Sequence, residues 1–211
     1  MKNTLPPEFM SRHLGRAALI LGDGPSINGF DCNGDLVRLC ITYGCNRIGR
    51  LFAPDYYVIT DQNRLAHDGH LVTPASQLIL YETSVLPPGA IHVCYDFGDI
   101  LGPPTIGRIY HAQKSGNLML HIAYQMGCRH FFIVGIDGYR YVGPKHFYET
   151  KESGSWDNRE EQVQAHLTLF CEAVRAEDGW VYNLSQMSFF NPPPYCSMEK
   201  ALELSRGIAY E

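Results

Sequence analysis

Short apolar runs alternate with longer amphipathic stretches along the chain. The runs are four to seven residues long and rich in β-branched and aromatic side chains, which is typical of strands buried on both faces of a sheet. They lie at residues 17–21, 36–42, 56–60, 77–81, 91–95, 131–134 and 181–184. The pattern therefore predicts seven short strands.

Three stretches have the periodicity of amphipathic helices. Residues 115–126, 159–176 and 198–210 each place apolar side chains on one face. In the second stretch, Glu160 and Glu161 lie at the predicted helix start, where negative charge suits the helix dipole. The third stretch follows three consecutive prolines, which break regular structure.

Strands that alternate with helices predict an α/β fold. We expect a Rossmann-like, doubly wound, mostly parallel sheet with helices on both faces. The length of 211 residues suits a single domain over residues 1–211. Residues 138–158 are polar and aromatic, as in an active-site lid. Residues 189–211 form a C-terminal extension that either covers the sheet or makes a homo-oligomer contact.

The charge, the apolar stretches and the cysteine spacing of the chain indicate which kinds of partner and compartment to expect. Charged residues make up 18% of the chain and the net charge is −5, with no basic run, so we expect no nucleic-acid partner. No apolar stretch is long enough to span a membrane, and the start of the chain does not read as a signal peptide. The seven cysteines form no CxxC pair. A reduced, cytoplasmic protein is the simplest expectation.

The first predicted strand runs directly into a turn with two glycines. Its residues are Gly22, Asp23, Gly24, Pro25 and Ser26. The glycines permit a tight turn and close approach of backbone N–H groups to an anionic ligand. The spacing matches neither the dinucleotide-binding fingerprint nor a P-loop. The alternative is an ordinary turn between a strand and a loop.

Polar side chains also follow the next two strands. Since parallel strands bring their carboxyl ends to one edge, Asn46 and Asp61 are expected to line the same crevice as the turn. The amide suits a base edge, a sugar hydroxyl or a carboxylate, whereas Asp61 suits a hydroxyl or a divalent cation. Arg47 and Arg64 are available for phosphate, or are exposed loop residues.

Two further segments complete the candidate crevice. Ser115 and Gly116 begin a predicted helix, whose start either attracts an anion or carries an ordinary cap. Asp137 follows the apolar run 131–134, a position from which an acid contacts a ligand or a loop amide. His146 lies in the predicted lid and has a side chain suited to proton transfer at neutral pH.

Taken in order, these blocks resemble two related families. They are the bacterial sialyltransferases that use CMP-sialic acid and the family named for a 6-hydroxymethylpterin diphosphokinase, which includes flagellin-modifying accessory proteins. The resemblance covers roughly residues 17–188. The blocks that carry it are residues 22–26, 45–46, 54–61, 115–119, 126–129 and 134–139.

The resemblance to sialyltransferases implies a nucleotide-binding transferase. The activity would move a nonulosonic acid from a CMP donor to a hydroxyl of a glycan or small acceptor, with no cofactor. Residues 22–26 would hold the phosphate and ribose, and Asn46 would contact the donor. Ser115 and Gly116 would contact the carboxylate of the donor sugar. Tyr139 would support the departing phosphate, and Asp137 belongs to the same block.

The chain departs from the sialyltransferase pattern at two acids. Those enzymes have Asn at the positions of Asp23 and Asp61, and two carboxylates repel a phosphate unless Mg²⁺ lies between them. An acid at the position of Asp61 resembles the diphosphokinase-named family. The alternative function is therefore a Mg²⁺-dependent diphosphokinase of the pterin type, with Asp23 and Asp61 as the metal ligands.

A third departure concerns the catalytic base. The sialyltransferases have a histidine at the start of the penultimate helix, whereas residues 156–161 contain none. His146 is the nearest substitute and our candidate base. The missing histidine also leaves open a non-catalytic, nucleotide-binding module.

Overall fold

The architecture is taken from a computed structural model of the chain. It describes residues 5–60, 62–81, 88–93, 102–110, 114–138, 146–148 and 158–209. Two predicted site residues, Asp61 and Tyr139, lie outside this part of the chain, as does most of the predicted lid at 138–158.

Seven parallel strands form one sheet in the described part of the chain. They are β1 (Ala17–Leu21), β2 (Ile41–Cys45), β3 (Tyr56–Ile59), β4 (Gln77–Tyr81), β5 (Ile91–Val93), β6 (His130–Val134) and β7 (Trp180–Asn183). Their order across the sheet is β5-β4-β3-β2-β1-β6-β7, and every neighbouring pair is parallel. The order reverses between β1 and β6, because β1 leads to β2 on one side and β6 to β7 on the other.

Helices cover both faces of the sheet. They are α1 (Asp35–Leu39), α2 (Gln62–Asp68), α3 (Ser115–Gln125), α4 (Asn158–Ala176) and α5 (Met198–Ala209). Alternate residues of β1 enter different cores: Ile20 packs in the cluster with residues of α3 and α4, and Leu19 packs in the cluster with residues of α1 and α5. This arrangement confirms the predicted doubly wound α/β fold.

The bounds of the second predicted strand were wrong. The run 36–42 is split between α1 and the beginning of β2. Leu36 is 2% exposed and packs under the sheet from the helix, whereas Thr42 is buried in the strand. Both halves are apolar because both are buried, and a short apolar run does not by itself separate a helix from a strand.

The C-terminal extension closes one face of the sheet. In α5, Ala201 is fully buried in the second core and Ser205 is 1% exposed. The helix also contacts α1. Covering the sheet is therefore the observed role of this helix, and the homo-oligomer contact stays a prediction. Within the described residues, no helix has the length and apolar character needed to cross a membrane.

Candidate functional site

A cavity of about 410 Å³ opens at the carboxyl edge of the sheet, where the strand order reverses. Parallel α/β sheets bind ligands at this place because the loops after adjacent strands separate there. The cavity is lined by the loops after β1, β2 and β6, by parts of α2, by the starts of α3 and α4, and by His146 and Phe190. The volume lies within the range of small-molecule sites.

The loops after β1 and β6 lie against each other across the floor of the cavity. Gly22 N donates to the carbonyl of Val134 at 2.9 Å, and Gly24 N donates to the carbonyl of Gly135 at 2.8 Å. A Cβ atom on Gly22 would overlap the carbonyl oxygen of Gly135, and one on Gly24 would crowd Asp137. The glycines therefore permit loop-to-loop packing, and two of the amides expected to face an anion are used within the protein.

Ser26 and Asp137 connect the same two loops through side chains. Ser26 Oγ donates to Asp137 Oδ1 at 2.6 Å, and Ser26 N donates to Oδ2 at 2.8 Å. Gly135 N in turn donates to Ser26 Oγ at 2.9 Å. Burial raises the pKa of Asp137, while the bonds from Ser26 act in the opposite direction. Asp137 lines the cavity, whereas Ser26 and Pro25 do not.

Asp23, Asn46 and His146 meet on one side of the cavity. Asn46 Nδ2 donates to Asp23 Oδ2 at 3.1 Å, and His146 Nδ1 lies 3.2 Å from the same oxygen. Asn46 adopts the left-handed conformation, with φ of 51°, and its carbonyl accepts a hydrogen bond from Tyr57. A turn after β2 thus aims the amide at the turn after β1.

The two arginines considered for phosphate are placed differently. Arg47 lies over the ring of Tyr148 at 4.4 Å, pairs with Asp68 at 3.1 Å, and does not line the cavity. Arg64 does line the cavity, and its guanidinium is 3.5 Å from Asp68. Arg64 is therefore the better-placed cation for an anionic ligand.

The starts of α3 and α4 meet at the cavity. Ser115 and Gly116 line it, and the side chain of the N-cap residue Lys114 makes no capping hydrogen bond to α3. Lys114 Nζ forms an ion pair with Glu160 Oε1 at 3.1 Å, and Glu160 is only 1% exposed. Both ends of this ion pair line the cavity.

Glu160 was missed as a site residue by the sequence analysis, which assigned it to the helix dipole. Its position could have indicated this role. Two helices begin near the same edge of the sheet, one at Lys114 and the other close to Glu160, and opposite charges placed there can pair. Phe190 is a second residue that sequence analysis did not place at the site: it is 4% exposed and lines the cavity, whereas Phe189 beside it is 46% exposed.

Most of the predicted site residues come together in the cavity. Those that line it are Gly22, Asp23, Gly24, Asn46, Ser115, Gly116, Asp137 and His146. Pro25 and Ser26 lie behind them, and Asp61 and Tyr139 lie outside the described residues. The ligand contacts assigned to all of these residues stay predictions.

Two other chemistries would need a reactive thiol or a cluster of metal ligands in the cavity. Cys45 lines it, but burial raises the pKa of this thiol well above its ordinary value, so it is a poor nucleophile at neutral pH. In the described part of the chain, no group of three His, Cys, Asp or Glu side chains is arranged to hold a metal ion. The pair of ligands predicted for Mg²⁺ includes Asp61, which lies outside that part.

Comparison with known proteins identifies structures of similar fold. No family model and no curated protein sequence matches the chain. A variant of the sialyltransferase CST-II in complex with CMP matches with a TM-score of 0.55 and 15% identity, over 86% of each chain. CST-II in complex with a trisaccharide acceptor and CMP matches with a TM-score of 0.51 and 15% identity, again over 86% of each chain.

A second sialyltransferase gives a comparable match. The monofunctional alpha-2,3-sialyltransferase Cst-I from Campylobacter jejuni has a TM-score of 0.55 and 16% identity, over 88% of this chain and 82% of its own. At such identities the likeness is one of fold. The chain therefore shares the fold of these sialyltransferases, and the resemblance to the diphosphokinase-named family stays a prediction.

Proposed function

We propose that the chain is a glycosyltransferase of the sialyltransferase type, which transfers a nonulosonic acid from a CMP donor to a hydroxyl acceptor. One observation carries the proposal: the loops after β1, β2 and β6 and the start of α3 enclose a single cavity at the strand-order reversal. The proposal is also supported by the fold, which the chain shares with sialyltransferases whose structures contain CMP.

The anionic parts of the donor are assigned to the positive side of the cavity. The start of α3, where the N-cap side chain makes no capping bond, offers backbone N–H groups and the positive end of a helix dipole. Lys114 and Arg64 line the cavity nearby. We assign the phosphate and the sugar carboxylate to this side, because two amides of the Gly22 turn already donate to carbonyls of the other loop.

The transfer needs a proton acceptor and stabilisation of the leaving group. The acceptor oxygen bonds to the anomeric carbon as the bond from that carbon to the phosphate oxygen breaks, and the electron pair of that bond leaves with CMP. We assign the proton of the acceptor hydroxyl to His146, which lines the cavity. Negative charge grows on the phosphate in an oxocarbenium-like transition state, and fixed N–H groups and cations stabilise such charge. No step uses a metal.

The proposal is tested by CMP release from CMP-sialic acid, measured with and without a panel of glycan acceptors. We expect release that depends on an acceptor and that falls by about 100-fold or more in His146→Gln, as for removal of a general base. Lys200→Met, which breaks an exposed ion pair on α5, is the matched control and should release CMP at the wild-type rate. Binding of CMP without release would instead favour a non-catalytic nucleotide-binding module.

A further inference from the structure

Asp23 was predicted to contact a ligand, but it also contacts other residues of the protein, which that role does not explain. Its carbonyl accepts a hydrogen bond from Phe147 N at 2.9 Å, and its Oδ2 lies 3.2 Å from His146 Nδ1. Tyr148 Oη lies 3.5 Å from the same Oδ2. Main chain and side chain of one residue in the β1 turn thus hold all three residues of the segment 146–148.

The plane of the His146 ring is fixed separately. It stacks on the ring of Tyr148, with centroids 5.1 Å apart and an interplanar angle of 7°. The guanidinium of Arg47 lies over the same tyrosine ring at 4.4 Å. The imidazole is therefore held against one aromatic neighbour, and Asp23 determines which of its edges faces the β1 turn.

We propose that Asp23 is a positioning residue that orients His146 for proton transfer. An ionised carboxylate only accepts hydrogen bonds, so the ring nitrogen facing it must carry the proton. The neutral imidazole then has its proton on Nδ1, and the lone pair of Nε2 is the one that can take up a proton. The structure places the two groups at ion-pair distance, with 3.2 Å between His146 Nδ1 and Asp23 Oδ2.

Asparagine at position 23 would not have this effect. Its amide presents either a donor or an acceptor to Nδ1, so it permits the tautomer in which Nε2 carries the proton and cannot accept another. In this chain Asn46 Nδ2 donates to Asp23 Oδ2, which orients the carboxylate. The acid at position 23 and the histidine at 146 thus form one unit, and Asn46 orients its carboxylate.

The orientation of His146 by Asp23 is inferred from contacts within the protein. Only the reaction that His146 serves rests on the proposed function. In that reaction the hydroxyl proton of the acceptor moves to Nε2 of His146, the acceptor oxygen bonds to the anomeric carbon, and CMP departs with the electron pair of the broken bond. The imidazolium formed in this step has the Asp23 carboxylate as its counter-ion, as in other carboxylate–histidine pairs.

The tautomer of His146 tests the proposal without any ligand. Ring-labelled histidine in the full chain is observed by ¹H–¹⁵N NMR at neutral pH, and His146→Gln identifies the signal. We expect the proton on Nδ1 in the wild type and a shift towards the Nε2-protonated form in Asp23→Asn. A wild-type ring that carries its proton on Nε2 overturns the proposal, whether or not Asp23→Asn folds.

Kinetics with CMP-sialic acid give the second measurement. We expect kcat of Asp23→Asn to fall by about 100-fold or more, with KM for the donor changed by less than about threefold, because a positioning residue acts on the chemical step. Asp35→Asn, which changes an exposed acid on α1, is the control with wild-type kcat. Wild-type kcat in Asp23→Asn overturns the proposal. If the wild type neither binds CMP nor releases it, the proposed function fails, and the NMR result still decides the role of Asp23.

Discussion

Ser26 and Asp137 hold the two central loops of the molecule together although they are 111 residues apart in the chain. The hydroxyl of Ser26 donates to one carboxylate oxygen at 2.6 Å and its backbone N–H to the other at 2.8 Å. Because the cavity opens between these loops, the contact determines the shape of its floor. Ser26 does not line the cavity itself, and it affects the site by holding Asp137 in place.

Ser26→Ala tests this role through stability. The variant removes the hydrogen bond to Asp137 Oδ1 and leaves Gly135 N without its acceptor. We expect the free energy of unfolding in urea to fall by about 1–3 kcal/mol, the cost of unsatisfied buried polar groups. Ser76→Ala, whose hydroxyl lies 3.5 Å from that of Thr73, should change it by less than about 0.5 kcal/mol. Equal losses in the two variants would contradict the assigned role.

Gly22→Ala tests the close packing of the loops. The new Cβ would overlap the carbonyl oxygen of Gly135, a backbone atom that cannot shift as easily as the end of a flexible side chain. We expect a loss of about 1–3 kcal/mol or more in the free energy of unfolding, as for overpacking. Gly29→Ala is the matched control, because nothing lies within 4 Å of a Cβ at that position. A neutral Gly22→Ala would show that the loops can separate.

Removing one end of the Lys114–Glu160 ion pair should destabilise the protein more than removing both. Lys114→Met leaves a carboxylate that is 2% exposed without its counter-ion, for which the typical loss is about 3–5 kcal/mol. The double variant Lys114→Met/Glu160→Gln removes both charges and should recover much of that loss in urea denaturation. Lys200→Met, in an exposed ion pair, should cost less than about 1 kcal/mol. A double variant as unstable as Lys114→Met would contradict this account.

A buried pair of histidines makes stability depend on pH. His121 Nε2 and His166 Nε2 are 2.6 Å apart between α3 and α4, and both side chains are fully buried. Burial, and secondarily His166, holds the pKa of His121 well below its usual value. Below about pH 6.5 the unfolded chain therefore takes up a proton at this residue that the folded chain does not. Stability contributed by a neutral His121 is thus present above that pH and lost as the pH falls.

The expected loss is up to about 1.4 kcal/mol for this histidine between about pH 7.5 and pH 5.5. Urea denaturation at both pH values measures it. The double variant His121→Leu/His166→Leu should show a smaller decrease, because the remaining histidines titrate equally in both proteins. The same decrease in wild type and variant would refute this assignment.

Periodicity predicted much of the fold because local burial patterns determine it. The run at β1 matches the observed strand, and the stripe from Leu118 to Met126 matches α3 within one residue. The run 36–42 failed because a buried helix and a buried strand are equally apolar. Because parallel strands share an edge, residues that follow strands were expected to meet, and Asn46 and Asp137 both line the cavity.

Contacts between particular side chains within the site could not be predicted from periodicity or from the positions of strand ends. Sequence analysis expected Ser26 to hold a ligand and Asp137 to contact either a ligand or a loop amide. The structure shows Asp137 bonded to both the hydroxyl and the backbone amide of Ser26. Asp23 was expected to contact a nucleotide or Mg²⁺, and the structure shows it beside His146. Such pairs depend on loop geometry and on residues far apart in the chain, and residue type and spacing carry little of that information.

Calorimetric titration of the full chain with CMP tests the central claim, that the cavity between the β1 and β6 loops holds a nucleotide phosphate. We predict binding with Kd below about 1 mM, unchanged by a chelator of divalent cations, because Lys114, Arg64 and the start of α3 supply the positive charge. Asn46→Gly, which suits the left-handed backbone there and removes the amide, should bind at least about tenfold more weakly. Absence of binding by the wild type at millimolar CMP would contradict the account.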